Sequence, residues 1–167
     1  MKPIYRDGVC IILRPAAKFG KHFQLLISLD KKDSLENVQD QIDSLVSQQP
    51  YYHAALGLEI WRRQVGLELP PGLLPCLLLH CDNVGMINSS MKSWQIIKKT
   101  WAMVSSTDLD QKQLILGIKD PVPAPDDTIT SPLLCRDGHQ SLFPSLTHCQ
   151  WIALSQFAAK SINQVNF

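Results

Sequence analysis

The sequence predicts a single-domain α/β protein over residues 1–167, with a mixed sheet flanked by helices. Three observations carry that expectation. Short β-rich apolar runs bounded by turn residues recur at both ends and in the middle of the chain. Between them lie two stretches whose apolar residues repeat at spacings of three and four, as one face of a helix requires. Hairpin-like pairs and helical crossovers alternate, which makes a sheet of mixed direction. A chain of 167 residues is long enough to bury a substantial core without staples.

The elements are expected as follows. Asp7-Gly8 marks a turn. Val9 to Leu13 and His22 to Ser28 read as an antiparallel pair closed by the polar segment Pro15 to Lys21. A helix from 34 to 47 follows. Leu35, Val38, Ile42, Leu45 and Val46 form its stripe, and Asp33 with Glu36 resembles a capping arrangement. From Tyr51, the positions Ala54, Ala55, Leu58, Trp61 and Val65 form a second helical face, while Arg62, Arg63 and Gln64 cluster away from it. Gly66 suits the left-handed residue just past a helix end, and Pro70-Pro71-Gly72 marks a turn. Leu73 to Leu79 is an apolar run expected as a buried strand, and 82–90 as a loop. Residues 91–105 are ambiguous. A helix would align Trp94, Ile97 and Trp101, whereas the alternation of Trp101, Met103 and Ser105 favours extended structure over 100–105. Lys112 to Lys119 reads as a strand, and Asp120 to Pro132, with its prolines, as an irregular loop. Asp137-Gly138 is a further turn. Gln150 to Leu154 is expected as a short strand and Ser155 to Val165 as the closing helix.

Composition narrows the class. The hydrophobic fraction of 45% and charged fraction of 19% are those of an ordinary globular protein. A net charge of +1 gives no global reason to expect nucleic acid or an acidic membrane as partner. No apolar run approaches the length of a membrane span. The five cysteines are irregularly spaced, which fits reduced thiols and a cytoplasmic location better than a disulfide framework.

The segment AALGLEIWRRQVGLELP, together with Gln150-Trp151-Ile152-Ala153-Leu154 and Phe157, resembles parts of a Nudix hydrolase domain. Gly66 and Leu67 match the Gly-aliphatic pair that closes the family's motif, and Trp61 stands where an aliphatic residue is usual. The resemblance implies an α/β/α sandwich and hydrolysis of a diphosphate linkage with magnesium. In that alignment the family's Arg falls on Glu59, its first Glu on Ile60, its paired Glu residues on Arg63 and Gln64, the upstream Glu on Tyr51 and the opening Gly on Leu45. Magnesium requires anionic oxygen ligands, and an Arg in their place repels it while attracting phosphate. The resemblance therefore implies a catalytically degenerate domain with no metal site and no cofactor. Arg62, Arg63 and Gln64 become candidate ligand-binding residues.

Two partners are expected for such a domain, a nucleotide-like small molecule or another protein, and a homodimer stays open. Apolar stretches such as Leu142 to Leu146 are candidates for contact with a partner. The alternatives are an active hydrolase with atypical magnesium ligands, in which Glu59 is the first catalytic candidate, and a structural subunit of an assembly. Other groupings carry less. Cys76, His80, Cys81 and Asp82 lie close in sequence, as do Cys135, His139, His148 and Cys149, but neither set has the paired spacing of a zinc site. Asp108, Asp110, Asp126 and Asp127 read as turn residues before magnesium ligands. Lys98 and Lys99 with Trp94 and Trp101 mix basic and aromatic residues as a single-strand nucleic-acid surface does, although core packing accounts for both tryptophans.

Overall fold

The computed structural model describes residues 8–13, 23–28, 35–107, 112–123, 133–134 and 141–165. The segments expected as turns or loops at 15–21, 124–132 and 137–138 lie outside the described residues, as do Cys135, His139, Asp108, Asp110, Asp126 and Asp127. The chain divides into two compact units, Met1–Gln39 and Asp40–Phe167.

The first unit contains the expected hairpin. β1 (Gly8–Leu13) pairs with β2 (Phe23–Ser28) antiparallel, with Val9 opposite Ile27 and Leu13 opposite Phe23. The boundary between the units falls within α1 (Leu35–Val46), which occupies the stretch expected as the first helix and buries Val38, Ile42 and Leu45.

The second unit is helical. It contains α2 (Gln49–Gln64), α3 (Leu73–Asn83), α4 (Ser93–Ser106) and α5 (His148–Val165). Short strands β3 (Lys112–Ile115), β4 (Val122–Pro123) and β5 (Leu133–Leu134) lie between α4 and α5 in the order β4-β3-β5. β3 runs antiparallel to β4 and parallel to β5. Helix α4 packs on α5 and on α2, and α3 packs on both α2 and α4. The core between them is built from Tyr51, Leu58, Leu77, Ile96, Trp151 and Leu154. A hydrogen bond from Trp61 Nε1 to Ser161 Oγ, 2.8 Å long, ties α2 to α5 inside this core.

This architecture corrects the expected fold class. Five helices dominate the described residues, and the strands form only a hairpin and a short three-stranded group of mixed direction, so the described residues are mostly helical and do not form an α/β/α sandwich around a central mixed sheet. Three expected extended segments are helical. Leu73 to Leu79 is the body of α3, residues 100–105 are the second half of α4, and Gln150 to Leu154 is the start of α5.

Each change has a local physical cause. In α3, Leu73, Leu74, Cys76, Leu77, Leu78 and Leu79 are all buried. A helix that is apolar all round has no polar face to reveal its period. Pro75 sits in the first turn, where its missing N–H would have had no partner anyway. In a central strand it would have broken the ladder. Gly85, at φ 75°, closes the helix. Its N–H donates to the Asp82 carbonyl at 2.9 Å and the Met86 N–H to the Cys81 carbonyl at 2.9 Å, the paired bonds of a Schellman ending.

Helix α4 takes the helical alternative for 91–105, but the face it buries is not that of Trp94, Ile97 and Trp101. Ile96, Thr100, Met103 and Val104 are buried, and Thr100 Oγ1 donates to the Ile96 carbonyl at 2.9 Å. Helix α5 begins with Thr147 and Gln150 capping one another. The Gln150 N–H donates to Thr147 Oγ1 at 3.2 Å, and the Thr147 N–H to Gln150 Oε1 at 2.9 Å. The strand expected over Lys112 to Lys119 stops at Ile115, because Gly117 adopts φ 76° and turns the chain. Leu114, Ile115 and Leu116 are all buried, and Ile118 is exposed.

Candidate functional site

Glu59, Arg62, Arg63 and Gln64 occupy the last turns of α2. At separations of three and four residues Arg62 and Arg63 both reach Glu59. Arg62 Nη2 donates to Glu59 Oε1 at 2.5 Å, Arg62 Nε to Oε2 at 2.9 Å, and Arg63 Nε to Oε1 at 3.0 Å. The remaining Arg62 nitrogen, Nη1, donates to the Leu67 carbonyl at 2.7 Å. That bond holds the chain just after the helix end. There Gly66 takes φ 71°, the Leu67 N–H donates to the Arg62 carbonyl and the Gly66 N–H to the Arg63 carbonyl. The stop expected at Gly66 is thus a second Schellman ending.

This geometry decides what these residues can do. Hydrogen bonds from Arg62 and then Arg63 lower the Glu59 carboxyl to about 2, against opposition from partial burial. The carboxylate stays ionised and shared between two guanidiniums, so it is poorly suited to take a proton as a general base. Glu59 and Arg62 line a small cavity of about 220 Å³ with the proline turn from Leu69 to Gly72. Arg63 and Gln64 lie outside that lining and are exposed. The cavity is smaller than the roughly 300 Å³ at which small-molecule sites begin. A phosphate entering it would compete with Glu59 and the Leu67 carbonyl for Arg62. The four predicted residues are neighbours, but only two of them share a concavity.

The cysteine and histidine cluster of α3 is interior. Among the described residues no three His, Cys, Asp or Glu side chains stand together as a metal site. His80 is 1% exposed, and its Nδ1 accepts the Gly117 N–H at 3.3 Å, which fastens α3 to the turn after β3. Burial lowers the His80 pKa, opposed by its hydrogen bond with the backbone of Ile115. Burial pushes the Cys81 thiol up to about 12, far from the thiolate that nucleophilic chemistry needs. Tyr51 donates its hydroxyl to Asp82 Oδ1 at 2.5 Å. Its pKa is raised by burial first and by Asp82 second.

The grouping of Trp94, Trp101, Lys98 and Lys99 separates on folding. Trp101 turns towards Trp61, with ring centroids 5.3 Å apart, and its indole nitrogen is buried. Trp94 stays outside at 53% exposure, with Lys98 Nζ 5.6 Å from its ring centroid. Trp94, Lys98 and Lys99 line a groove of about 380 Å³ with Met91, Ala102 and, across on α5, Ile162. The groove's signal in the sequence is the spacing 91, 94/95, 98/99, 102, a helical stripe that includes an exposed tryptophan. The expectation of an extended segment at 100–105 hid it. The Leu142 to Leu146 stretch offers less surface than expected, because Leu142 and Leu146 are both buried. Helix α2 carries another apolar line, with Tyr52, Leu56 and Ile60 each about half exposed at intervals of four.

No family model, curated protein or solved structure matches the chain.

Proposed function

We propose that the chain is a protein-interaction module and that the groove between α4 and α5 receives a segment of its partner. The observation that carries this reading is Trp94. A large indole is held at the mouth of a 380 Å³ concavity on a well-formed helix, at 53% exposure. Tryptophan is the residue most enriched among those that dominate binding energy at protein interfaces, because it buries a large rigid surface at little entropic cost. Met91 and Ile162 extend the apolar surface, and Met adapts its shape to what docks against it. The alternative of nucleotide binding at α2 is less favoured, since Arg62 already directs its donors to Glu59 and to the Leu67 carbonyl.

Two-dimensional amide NMR of the chain tests this reading. Titration with ATP and ADP, with and without magnesium, should leave the amides of residues 59–67 unmoved. Helical peptides selected by display against the immobilised protein should shift those of Met91, Trp94, Lys98, Ala102 and Ile162. Saturable nucleotide shifts at Arg62 and Arg63, with selected peptides mapping elsewhere, would refute the proposal.

A further inference from the structure

We infer that the partner segment is an acidic amphipathic helix; this rests on the reading of the α4–α5 groove as a docking site. The first argument is shape. From Trp94 to Ala102 the groove follows α4 for about 12 Å at 1.5 Å per residue. That length accepts a helix presenting side chains at i, i+3 or i+4, and i+7, the usual mode of helix-in-groove recognition. Ala102 is small enough to let a docked backbone come close, while Trp94, Met91 and Ile162 supply apolar walls.

The second argument is charge. The chain carries 16 basic and 15 acidic residues, yet none of the acidic residues lies on α4 or α5. Those helices carry Lys98, Lys99 and Lys160, and the first two line the groove. Among the described residues the groove's lining is therefore basic, with two lysines and no acidic side chain, although the whole molecule is near neutral. A helix with carboxylates flanking its apolar anchors is steered in by this charge. A basic helix meets like charge at close range. Single-stranded nucleic acid fits less well. Stacking needs a series of open aromatic faces, whereas Trp101 is turned inwards and Lys98 sits over the Trp94 ring.

The test uses the full chain and fluorescence anisotropy with four labelled probes. One is an amphipathic peptide with leucine anchors at helical spacing and flanking glutamates. The second replaces the glutamates with lysines, the third replaces the leucines with serines, and the fourth is an oligo-dT strand. The acidic anchored peptide should bind at least about tenfold more tightly than the other three, with an advantage over the lysine peptide that shrinks in salt. Trp94→Ala should weaken it by about tenfold, the scale of an interface hot spot. Lys98→Glu with Lys99→Glu should transfer the preference to the lysine peptide. Should that double variant misfold by circular dichroism, the salt dependence and the Lys98→Gln single variant carry the same discrimination. Equal binding of the acidic and lysine peptides would overturn the acidic partner while leaving a docking groove. Binding of neither anchored peptide would overturn the groove itself. Preferential oligo-dT binding lost in Trp94→Ala would overturn both in favour of nucleic acid.

Discussion

Two arginines on one glutamate make the end of α2 an electrostatic device for ending a helix. Arg62 links Glu59, one turn back, to the Leu67 carbonyl beyond the last turn. Glu59 is half-exposed, so its pairs are screened and Glu59→Gln should cost below about 1 kcal/mol in urea unfolding at neutral pH. Its pH signature is sharper. The folded carboxyl is depressed from 4.5 to about 2, so its stabilisation is present above 4.5 and is lost as pH falls towards 2. Stability measured across that window should fall less steeply in Glu59→Gln than in the parent protein. His80 acts in a higher window. Burial lowers its folded pKa below 6.5, so the native state resists taking a proton that the unfolded chain accepts. Stability should therefore decline as pH falls through 6.5. His80→Asn, which keeps an acceptor near the Gly117 N–H but does not titrate, should flatten that decline, and unfolding midpoints at two pH values on either side of 6.5 would show it. At this scale the sequence was informative about proximity and not about role. The helical spacing of Glu59, Arg62 and Arg63 placed them together, but their hydrogen bonds to one another depend on side-chain geometry that spacing does not contain. His80 beside Cys76 and Cys81 suggested ligands, because nothing local says that the run around them is interior.

Helix ends, more than helix faces, separate what the sequence disclosed from what it hid. Gly66 was legible because an amphipathic face preceded it. Gly85 plays the same part for α3, yet α3 shows no such face, and an all-apolar run reads equally well as a buried strand. The discriminating residues were Pro75, which a central strand does not tolerate, and the Thr147/Gln150 pair, whose spacing marks the start of a helix before Trp151. Two substitutions test these assignments. Pro75→Ala should leave stability within about 0.5 kcal/mol of the parent, since a first-turn proline gives up no hydrogen bond. Gly66→Ala should cost about 1 kcal/mol, the penalty for a Cβ in the left-handed conformation. No atom lies within 4 Å of the added carbon, so that cost is purely conformational. Equal effects of the two changes on the thermal midpoint would count against a helix at Leu73–Asn83.

At the scale of the second unit, the two helices that carry the groove contain no acidic residue of their own. The core that holds α4 against α5 and α2 is made within Asp40–Phe167, through Ile96, Trp151, Leu154 and the Trp61–Ser161 hydrogen bond. Ser161→Ala removes the acceptor for a buried indole N–H and should cost about 1–3 kcal/mol, the desolvation of an unpaired polar group. Its consequence should reach beyond stability. Ser161 lies one residue before Ile162, which lines the groove, and Trp61 lies against Trp101, one residue before Ala102 on the groove's other wall. Loss of the bond loosens both walls without touching any residue that meets the partner. The expected outcome is a lower unfolding midpoint together with a faster dissociation of the acidic anchored peptide. The association rate, which the lysines control through long-range steering, should stay nearly unchanged. Stopped-flow anisotropy separates the two rates. A fall in association with dissociation unchanged would mean that the groove is shaped independently of the core hydrogen bond, and that its lysines have been displaced instead.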